Sequence, residues 1–244
     1  MRNYTKNLGS LAAAVMLCFG LNVPSAIAQD ENSAAMMAEE NSVNDSAESA
    51  KSVDPSEFFQ VSTIQNSASE VTAHEVIANV TDEVLAIVKK TQDENVDPLV
   101  ASEALDELMT QVVDFRFIIL NVMENSARSA SREQLQSFAR VFKQGLINTY
   151  AKGMTSFVGF EVEILPPDGP LNGRRNVTVQ QEVTGPAGSA LVSYSMAIDK
   201  DENWVLRNVV INGINLGKQF RNQFRVAIKK NDNDLDKVIQ NWNA

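Results

Sequence analysis

The sequence predicts an α+β domain in which about six helices cover one face of a twisted antiparallel sheet of four or more strands. Helical periodicity dominates the first half of the domain, up to Gly159. After Gly159, runs of Val, Ile, Thr and Tyr alternate with clusters of Gly, Pro, Asn and Asp, a pattern typical of consecutive antiparallel strands. One side of these strands is apolar, so the helices before and after them are available to cover it.

Two helices are predicted at the start of the domain. The first begins near Ser69 and ends in Lys89 and Lys90, whose charges suit a helix C-terminus. Asp97 before Pro98 predicts the start of the second helix, because an N-cap acceptor is followed by a proline whose missing N–H costs nothing in a first turn.

Two more helices are predicted before the strands. The almost wholly apolar stretch from Phe115 to Met123 predicts a helix that is buried on most sides. Ser131 and Gln134 have the spacing of a capping box and predict the start of a longer helix. The apolar face of that helix comprises Leu135, Phe138, Phe142, Leu146, Tyr150, Met154 and Phe157.

Four strands are predicted at residues 160–165, 176–184, 190–198 and 204–211. Alternation puts a set of apolar residues on one side of the second and third strands: Val177, Val179, Val183, Val192, Tyr194, Met196 and Ile198. The links between the strands are short, which predicts an antiparallel meander.

The last strand passes through Asn212-Gly213 directly into a helix. Gly213 permits a sharp turn, so Ile214 and Leu216 are expected to leave the sheet toward the space between sheet and helix. The helix is amphipathic, with a basic stripe made of Lys218, Arg221, Arg225 and Lys229. An ordinary strand-to-helix corner packed in a core is the alternative interpretation of this stretch.

The N-terminus has the layout of a cleaved secretory signal peptide, predicted at residues 1–28. Arg2 and Lys6 precede an uncharged run that is too short for a membrane span, and Ala26-Ile27-Ala28 fits cleavage after Ala28. Cys18 is the single cysteine and lies in the removed segment, so the mature chain can form no intramolecular disulfide.

Residues 29–68 are predicted to be a disordered acidic tether, and residues 69–244 a single domain. Lys51 is the one basic residue between Gln29 and Glu57, where eight acidic residues lie: Asp30, Glu31, Glu39, Glu40, Asp45, Glu48, Asp54 and Glu57. The formal charge of −10 becomes −12 without the signal peptide. Such a charge repels nucleic acid, which is therefore not an expected partner.

No catalytic site, metal site or cofactor is predicted. His74, the single histidine, lies near the start of the first helix and is expected to be solvated. The sequence has no Cys/His cluster with metal-ligand spacing, no nucleophile elbow and no Gly-rich phosphate loop.

Several short motifs occur in a characteristic order: Tyr150-Ala151, Phe157-Val158-Gly159, Pro170-Leu171, Asn203-Trp204 and Gly213-Ile214-Asn215-Leu216. From about residue 70 to residue 244 the chain resembles the MlaC family, also called toluene-tolerance proteins. It departs from the family pattern in three places. Met123-Glu124 stands where the family usually has Leu-Gly, Asn208 where aspartate is common, and Ile214-Asn215 where Val-Ser is frequent.

The resemblance implies a soluble periplasmic phospholipid carrier of Gram-negative bacteria. Its partners would be an inner-membrane MCE-domain ABC transporter complex and an outer-membrane lipoprotein-porin complex. Glycerophospholipid would be shuttled between them to maintain the lipid asymmetry of the outer membrane.

The resemblance and the apolar positions of both layers together predict a cavity that holds acyl chains. Its predicted lining comprises Tyr150, Met154, Val162, Val179, Val183, Tyr194, Met196, Ile214, Leu216 and Phe220. Basic residues are predicted near its mouth, facing an acidic partner or a lipid phosphate: Arg174, Arg175, Lys218, Arg221 and Arg225. A solvated face without a specific task is the alternative for these charges.

Two other functions are compatible with the sequence. A curved sheet covered by helices also occurs in NTF2-like enzymes, so an enzyme acting on an apolar small molecule is the second hypothesis. A periplasmic chaperone or scaffold for outer-membrane proteins is the third. A buried carboxylate with a raised pKa in the cavity would favour the enzyme, and lipid that co-purifies would favour the carrier.

Overall fold

A computed structural model describes residues 60–93, 98–153, 160–171, 173–185 and 188–242. Within these residues the chain forms seven helices: α1 (Ala73–Asp93), α2 (Pro98–Val112), α3 (Phe115–Met123), α4 (Ser126–Ser129), α5 (Arg132–Gly153), α6 (Leu216–Lys230) and α7 (Leu235–Gln240). It also forms five strands: β1 (Glu161–Ile164), β2 (Asn176–Gly185), β3 (Gly188–Ile198), β4 (Trp204–Ile211) and β5 (Ile214–Asn215). The predicted α+β fold is confirmed. The predicted signal peptide, residues 29–59 of the tether, Asp97, Met154 and Phe157 lie outside the described residues.

The five strands form one antiparallel sheet in chain order. Residues directly opposite each other in neighbouring strands share a face, and Val179 lies opposite Tyr194 while Val192 lies opposite Ile211. This register puts most of the large apolar residues of the five strands on one face, which we call the inner face.

A β-bulge interrupts the pairing of β3 with β4 after Ser195. Ser195 pairs with Asn208 but Met196 pairs with Leu206, so Arg207 is the extra residue of the bulge. The bulge changes the phase of alternation in β4. Leu206 and Trp204 can therefore join the inner face, while Arg207 is freed to pair with Asp114 at 3.1 Å.

Two hydrophobic cores cover the inner face. The first lies between α1, α2 and the sheet, and its buried members include Val76, Leu105, Leu108, Val179, Met196 and Trp204. The second lies between α3, α5, α6, α7 and the sheet, and contains a cluster of rings from Phe138, Phe142, Phe220, Phe224 and Trp242, with neighbouring centroids 5.0–6.2 Å apart. Half-buried Tyr194 packs against both cores and marks the seam between them.

The folded part of the chain begins before Ser69. Ile64 is a buried member of the first core, Val61 packs against that core, and the Ile64 N–H donates to Gln111 Oε1 at 2.8 Å. Residues 60–68, which the sequence assigns to the acidic tether, also contact α1 and the start of β4, since the Ser62 N–H donates to Glu83 Oε1 at 3.0 Å and the Trp204 N–H donates to the Asn66 carbonyl at 2.7 Å.

The prediction that α3 is buried on most sides is wrong. Ile119, Val122 and Met123 are buried against the second core, but the side chains of Phe117 and Leu120 are each 38% exposed. The helix lies on the surface and packs on α5 and α6 along one side only. Its sequence is apolar on both sides, so periodicity alone could not identify the exposed face.

The capping box of α5 is confirmed by two reciprocal hydrogen bonds. Gln134 N–H donates to Ser131 Oγ at 3.2 Å, and Ser131 N–H donates to Gln134 Oε1 at 3.0 Å. Each bond satisfies a backbone donor that the first turn of a helix leaves without a partner.

The expectation that Ile214 leaves the sheet is wrong. Asn212 and Gly213 have φ values of 48° and 82°, as a two-residue type I′ hairpin requires, and Ile214 pairs back onto Ile211. Strand β5 ends after Asn215, whose side-chain oxygen accepts the Lys218 N–H at 3.0 Å and caps α6. Helix α6 therefore begins at the residue that directly follows strand β5.

We predict that Gly213→Ala destabilises the domain although its Cβ would meet nothing within 4 Å. A left-handed backbone costs a non-glycine residue about 1–2 kcal/mol, which urea denaturation would measure as a fall in the free energy of unfolding. Gly213→Asn is the matched control, since asparagine tolerates this conformation better and should lose less. An equal loss for both variants would show that backbone strain is not the cause.

Candidate functional site

The structure brings most of the predicted lining residues together. Six of them share the inner face of the sheet: Val162, Val179, Val183, Tyr194, Met196 and Ile214. Leu216 and Phe220 lie on α6 and belong to the second core. Tyr150 belongs to α5, and Met154 lies outside the described residues. Their contact with a ligand stays a prediction.

These residues differ in how completely protein atoms cover them. Four are packed inside the cores and are 0–5% exposed: Val179, Met196, Leu216 and Phe220. Val183 and Tyr194 are half-buried beside the second core. Val162 and Ile214 are also half-buried, but neither is among the residues that form or border the two cores described here.

The half-buried residues lie toward one end of the sheet. Val162 is opposite Val183 in β2, and Ile214 is opposite Ile211, which in turn is opposite Val192. Gln181 of β2 lies opposite Val192, in the same cross-strand line as Ile214. Gln181 is also two residues from Val183, the partner of Val162, so the cross-strand lines that contain Val162 and Ile214 are neighbours. Val162 and Ile214 lie on the two opposite edges of the sheet, and Ala190, Val192 and Ile211 between them in these rows are buried. The less tightly covered parts of the inner face are therefore its edges.

A polar chain crosses the seam between the two cores. Tyr194 Oη donates to Gln181 Oε1 at 2.7 Å, Gln181 Nε2 donates to Thr81 Oγ1 at 2.8 Å, and Thr81 Oγ1 donates to the Ile77 carbonyl at 2.8 Å. Gln181 is only 3% exposed, and these hydrogen bonds satisfy the polar atoms of its buried side chain. The chain ties α1 to the middle of the sheet. Sequence reasoning missed it, although the position of Gln181 between inward-facing Val179 and Val183 was a usable signal.

The start of α6 is tied to β4 by side-chain amides. The Gly217 N–H donates to Asn208 Oδ1 at 3.1 Å, and a Cβ at Gly217 would lie 2.7 Å from that oxygen. A glycine is needed here because the Asn208 side chain approaches the backbone of α6 closely. In the MlaC-like pattern this position is often an aspartate. Asparagine and aspartate both have a side-chain oxygen that can accept the Gly217 N–H, so Asn208 in this chain preserves the contact.

The basic stripe of α6 is attached to the end of α3. Arg225 Nε and Nη2 donate to the two carboxylate oxygens of Glu124 at 2.8 and 2.7 Å. Arg221 Nε donates to the Asn121 carbonyl at 3.1 Å and lies 3.4 Å from Glu124 Oε1. Lys218 is exposed one turn earlier on the same helix.

Arg174 and Arg175 are not brought together with this stripe. Arg175 pairs with Glu202 at 3.0 Å in the β3–β4 turn, and this contact raises the pKa of Arg175. Arg174 is exposed beside it, ahead of β2. Those residues lie at the opposite end of the sheet from the β4–β5 turn, because Asn176 of β2 pairs with Ala197 of β3.

Glu124 has a backbone conformation that favours glycine. Its φ is 50° and its ψ is −120°, and its N–H donates to the Leu120 carbonyl at 3.1 Å to close α3. A non-glycine residue in such a region costs on the order of 1–3 kcal/mol. The hydrogen bond from Arg225, with the charges of Arg225 and Arg221, lowers the pKa of Glu124. Glu124 of this chain thus pairs with two arginines at a position where the MlaC-like pattern usually has a glycine.

A surface pocket of about 480 Å³ lies beside this ion pair. Its walls come from α3, α4 and α6 and comprise Leu120, Asn121, Glu124, Asn125, Ala127, Arg128 and Arg221. Exposed Phe117 lies one turn before Leu120, and the Arg207 guanidinium stacks over its ring at 4.6 Å from the centroid. Sequence reasoning missed this pocket, because α3 was expected to be buried.

The expectation that His74 is solvated is wrong. The side chain is half-buried, and neither ring nitrogen is accessible or has a hydrogen-bond partner among the described residues. Desolvation lowers the pKa of His74. The described ranges contain no group of three or more His, Cys, Asp or Glu residues that could hold a metal ion. No helix in this part of the chain combines the length and apolar character needed to cross a membrane.

Comparisons with known proteins give a family model, a relative and a solved structure that are similar to this chain. The family model described as MlaC protein matches residues 78–244. The toluene tolerance protein ttg2D of Pseudomonas putida is 34% identical over 174 residues, which cover 70% of this chain and 80% of that protein. The solved structure of a phospholipid-binding protein from Ralstonia solanacearum, in complex with a phospholipid, matches with a TM-score of 0.63 and 22% identity. The match covers 70% of this chain and 94% of the Ralstonia chain, and it shows a shared fold.

We predict that the stabilising effect of Glu124 depends on pH. Its folded pKa lies below the ordinary value of 4.5, so its contribution is present above pH 4.5 and is lost as the pH falls through the folded value. The melting temperature of Glu124→Gln should fall below that of the parent at neutral pH, and the gap should close on acidification. Exposed Glu107→Gln on α2 is the control and should show no such gap. A gap that persists in strong acid would contradict the ion pair as its cause.

Proposed function

This chain belongs to the MlaC family, and from that premise we propose that it carries a glycerophospholipid whose acyl chains lie between the sheet and the helices. The observation that carries the proposal is the set of inner-face apolar residues that the helices cover only in part, namely Val162, Val183, Tyr194 and Ile214. The Ralstonia protein with the same fold was solved in complex with a phospholipid, which supports this choice of ligand.

The proposed contacts are those that an acyl chain can reach without dismantling a core. Val162, Val183, Tyr194 and Ile214 would line the accessible part, and the predicted Tyr150 and Met154 would complete it. The four tightly packed members of the predicted lining would contact the ligand only where the layers separate: Val179, Met196, Leu216 and Phe220.

Such a carrier can exchange lipid reversibly. Burying an acyl chain gains about 0.8 kcal/mol per methylene relative to water, whether it enters a protein cavity or a bilayer. The protein therefore needs only to match the bilayer approximately, and transfer needs no nucleotide hydrolysis by this chain. Val, Ile and Tyr side chains provide that apolar environment without a specific chemical group for the tails.

We further propose a periplasmic location and a shuttle between two membrane complexes. Residues 1–28 would direct export and be removed. The carrier would then pass lipid between the inner-membrane MCE-domain ABC transporter complex and the outer-membrane lipoprotein-porin complex, maintaining outer-membrane lipid asymmetry. Family membership and the N-terminal sequence support this assignment.

Lys218, Arg221 and Arg225 are proposed to face an acidic partner surface or a lipid phosphate. Arg174 and Arg175 would serve a separate contact, since they lie at the other end of the sheet. No specific observation in the described residues favours the NTF2-like enzyme or the chaperone, so the carrier is proposed alone.

The direct test is mass spectrometry of an organic extract of the purified protein, together with thermal unfolding of the delipidated protein. A ligand at about 100 times its Kd stabilises the folded state by about 2.7 kcal/mol. Added phospholipid should therefore raise the melting temperature of the delipidated protein. An extract without phospholipid and an unchanged melting temperature would reject the carrier function.

We predict that Ile214→Glu folds but no longer holds lipid. In a cavity, the carboxylate would be hydrated once the tails have left, and it would oppose their return. Val179→Glu is the contrasting variant, because Val179 is 0% exposed and an uncompensated buried carboxylate costs several kcal/mol, so it should not fold.

Val226→Glu is the matched control for the added charge. Val226 is 66% exposed on α6, so this variant should fold and keep its lipid. Circular dichroism and lipid extraction would be measured for all three variants. Aggregation of Ile214→Glu would assign Ile214 to a structural core, and a folded Ile214→Glu that retains lipid would remove it from the binding site.

A further inference from the structure

The solvent-facing sides of α3, α4 and α6 form a positively charged surface on a negatively charged chain. We call it the basic face and define it by Arg128, Lys218, Arg221 and Arg225, which are exposed or half-buried. Glu124 is the one acidic residue in the stretches 115–131 and 216–231 that build this face. The formal charge of the whole chain is −10, so this surface is a local reversal of charge.

The basic face already binds one carboxylate. Arg225 forms a two-pronged ion pair with Glu124, and Arg221 lies on the other side of the same carboxylate. Glu124 keeps this position despite a φ of 50°. Exposed Arg128 lines the pocket next to Glu124, where a second carboxylate could reach it. Exposed Arg128, and Arg225 with a side chain that is 55% exposed, can therefore each contact a further carboxylate.

Apolar side chains accompany these charges. Phe117 and Leu120 are each 38% exposed on the same side of α3, and Leu120 and Ala127 line the pocket of about 480 Å³. A fully hydrated polyanion would leave these groups uncovered. The surface fits an acidic peptide that also contains apolar residues.

The chain itself contains such a peptide. Residues 29–57 carry eight carboxylates and one lysine, a formal charge of −7, interspersed with Met36, Met37, Val43 and Val53. The segment joins the folded part beside α1 and α2, where the Ser62 N–H donates to Glu83 and the Ile64 N–H donates to Gln111. Its 29 residues span up to about 100 Å when extended, so the segment can reach this surface from there.

We propose that residues 29–57 dock on the basic face and compete there with external anionic partners. Carboxylates of the segment pair with Arg128 and Arg225, and an apolar side chain covers Leu120. The tether supplies an effective concentration on the order of 1 mM, so even weak pairing occupies the face. Docking does not depend on bound lipid, and it gives the acidic segment a regulatory role.

The first test locates the segment in the chain comprising residues 29–244. Cys18 is the single cysteine of the sequence and is absent from this chain, so Ser46→Cys carries a unique nitroxide label. Amide NMR signals of α3, α4 and α6 should broaden in low salt, independently of protein concentration, and recover in high salt. Broadening elsewhere, no broadening, or broadening that grows with concentration would overturn the proposal.

Two variants identify the charges responsible. The double variant Arg128→Glu/Arg225→Glu should abolish the broadening. The control double variant Lys89→Glu/Arg174→Glu changes the net charge by the same amount, but at exposed residues outside the basic face, and should preserve the broadening. Replacing all eight acids of the segment by their amides should also abolish it without touching the folded domain. Broadening that survives the amide replacement would overturn the proposal.

The second test measures competition with vesicles that contain phosphatidylglycerol. If the segment occupies the basic face two-thirds of the time, its amide variant should bind the vesicles about threefold more tightly than the parent chain. The gain should disappear when Arg128→Glu and Arg225→Glu are added. Equal binding by parent and amide variant, or a gain that persists without the two arginines, would overturn the proposal.

Discussion

The pairing register of β2, β3 and β4 determines how the rest of this protein packs. Side chains alternate between the faces of a sheet, so a slip of one residue would move Val179, Tyr194 and Val192 from the helices to the solvent. The bulge opposite Ser195 corrects the phase of β4, which would otherwise direct Arg207 toward the first core. Both cores, and the polar chain through Gln181, depend on this alignment.

The helices cover the inner face unevenly. The core under α1 and α2 and the ring cluster under α5, α6 and α7 are closely packed, while the edges of the sheet near Val162 and Ile214 are only half covered. A protein that must take up and release an apolar ligand needs this division. Tight packing elsewhere supplies stability, and in the proposed carrier the less covered edges would accept the ligand without exposing a core.

The junction of α3 with α6 differs in character from the inner face. Its contacts are charged and lie at the surface, where a single exposed ion pair contributes little to stability. Glu124 nevertheless occupies a strained conformation to reach Arg221 and Arg225. These contacts fix the side chains of Arg221 and Arg225 against the end of α3.

The sequence alone determined the α+β class, the four principal strands, the capping box at Ser131 and the family, because these depend on local periodicity and turn chemistry. It also placed four lining candidates, Val179, Val183, Tyr194 and Met196, on the apolar side of their strands, since strand alternation has a period of two. It could not predict that Ile214 stays in the sheet, that α3 is half exposed, that His74 is covered, or that Glu124 meets Arg225. Those outcomes join residues distant in the chain, and only the packing of the helices on the sheet decides which of two apolar or charged sides faces a neighbour and which faces water.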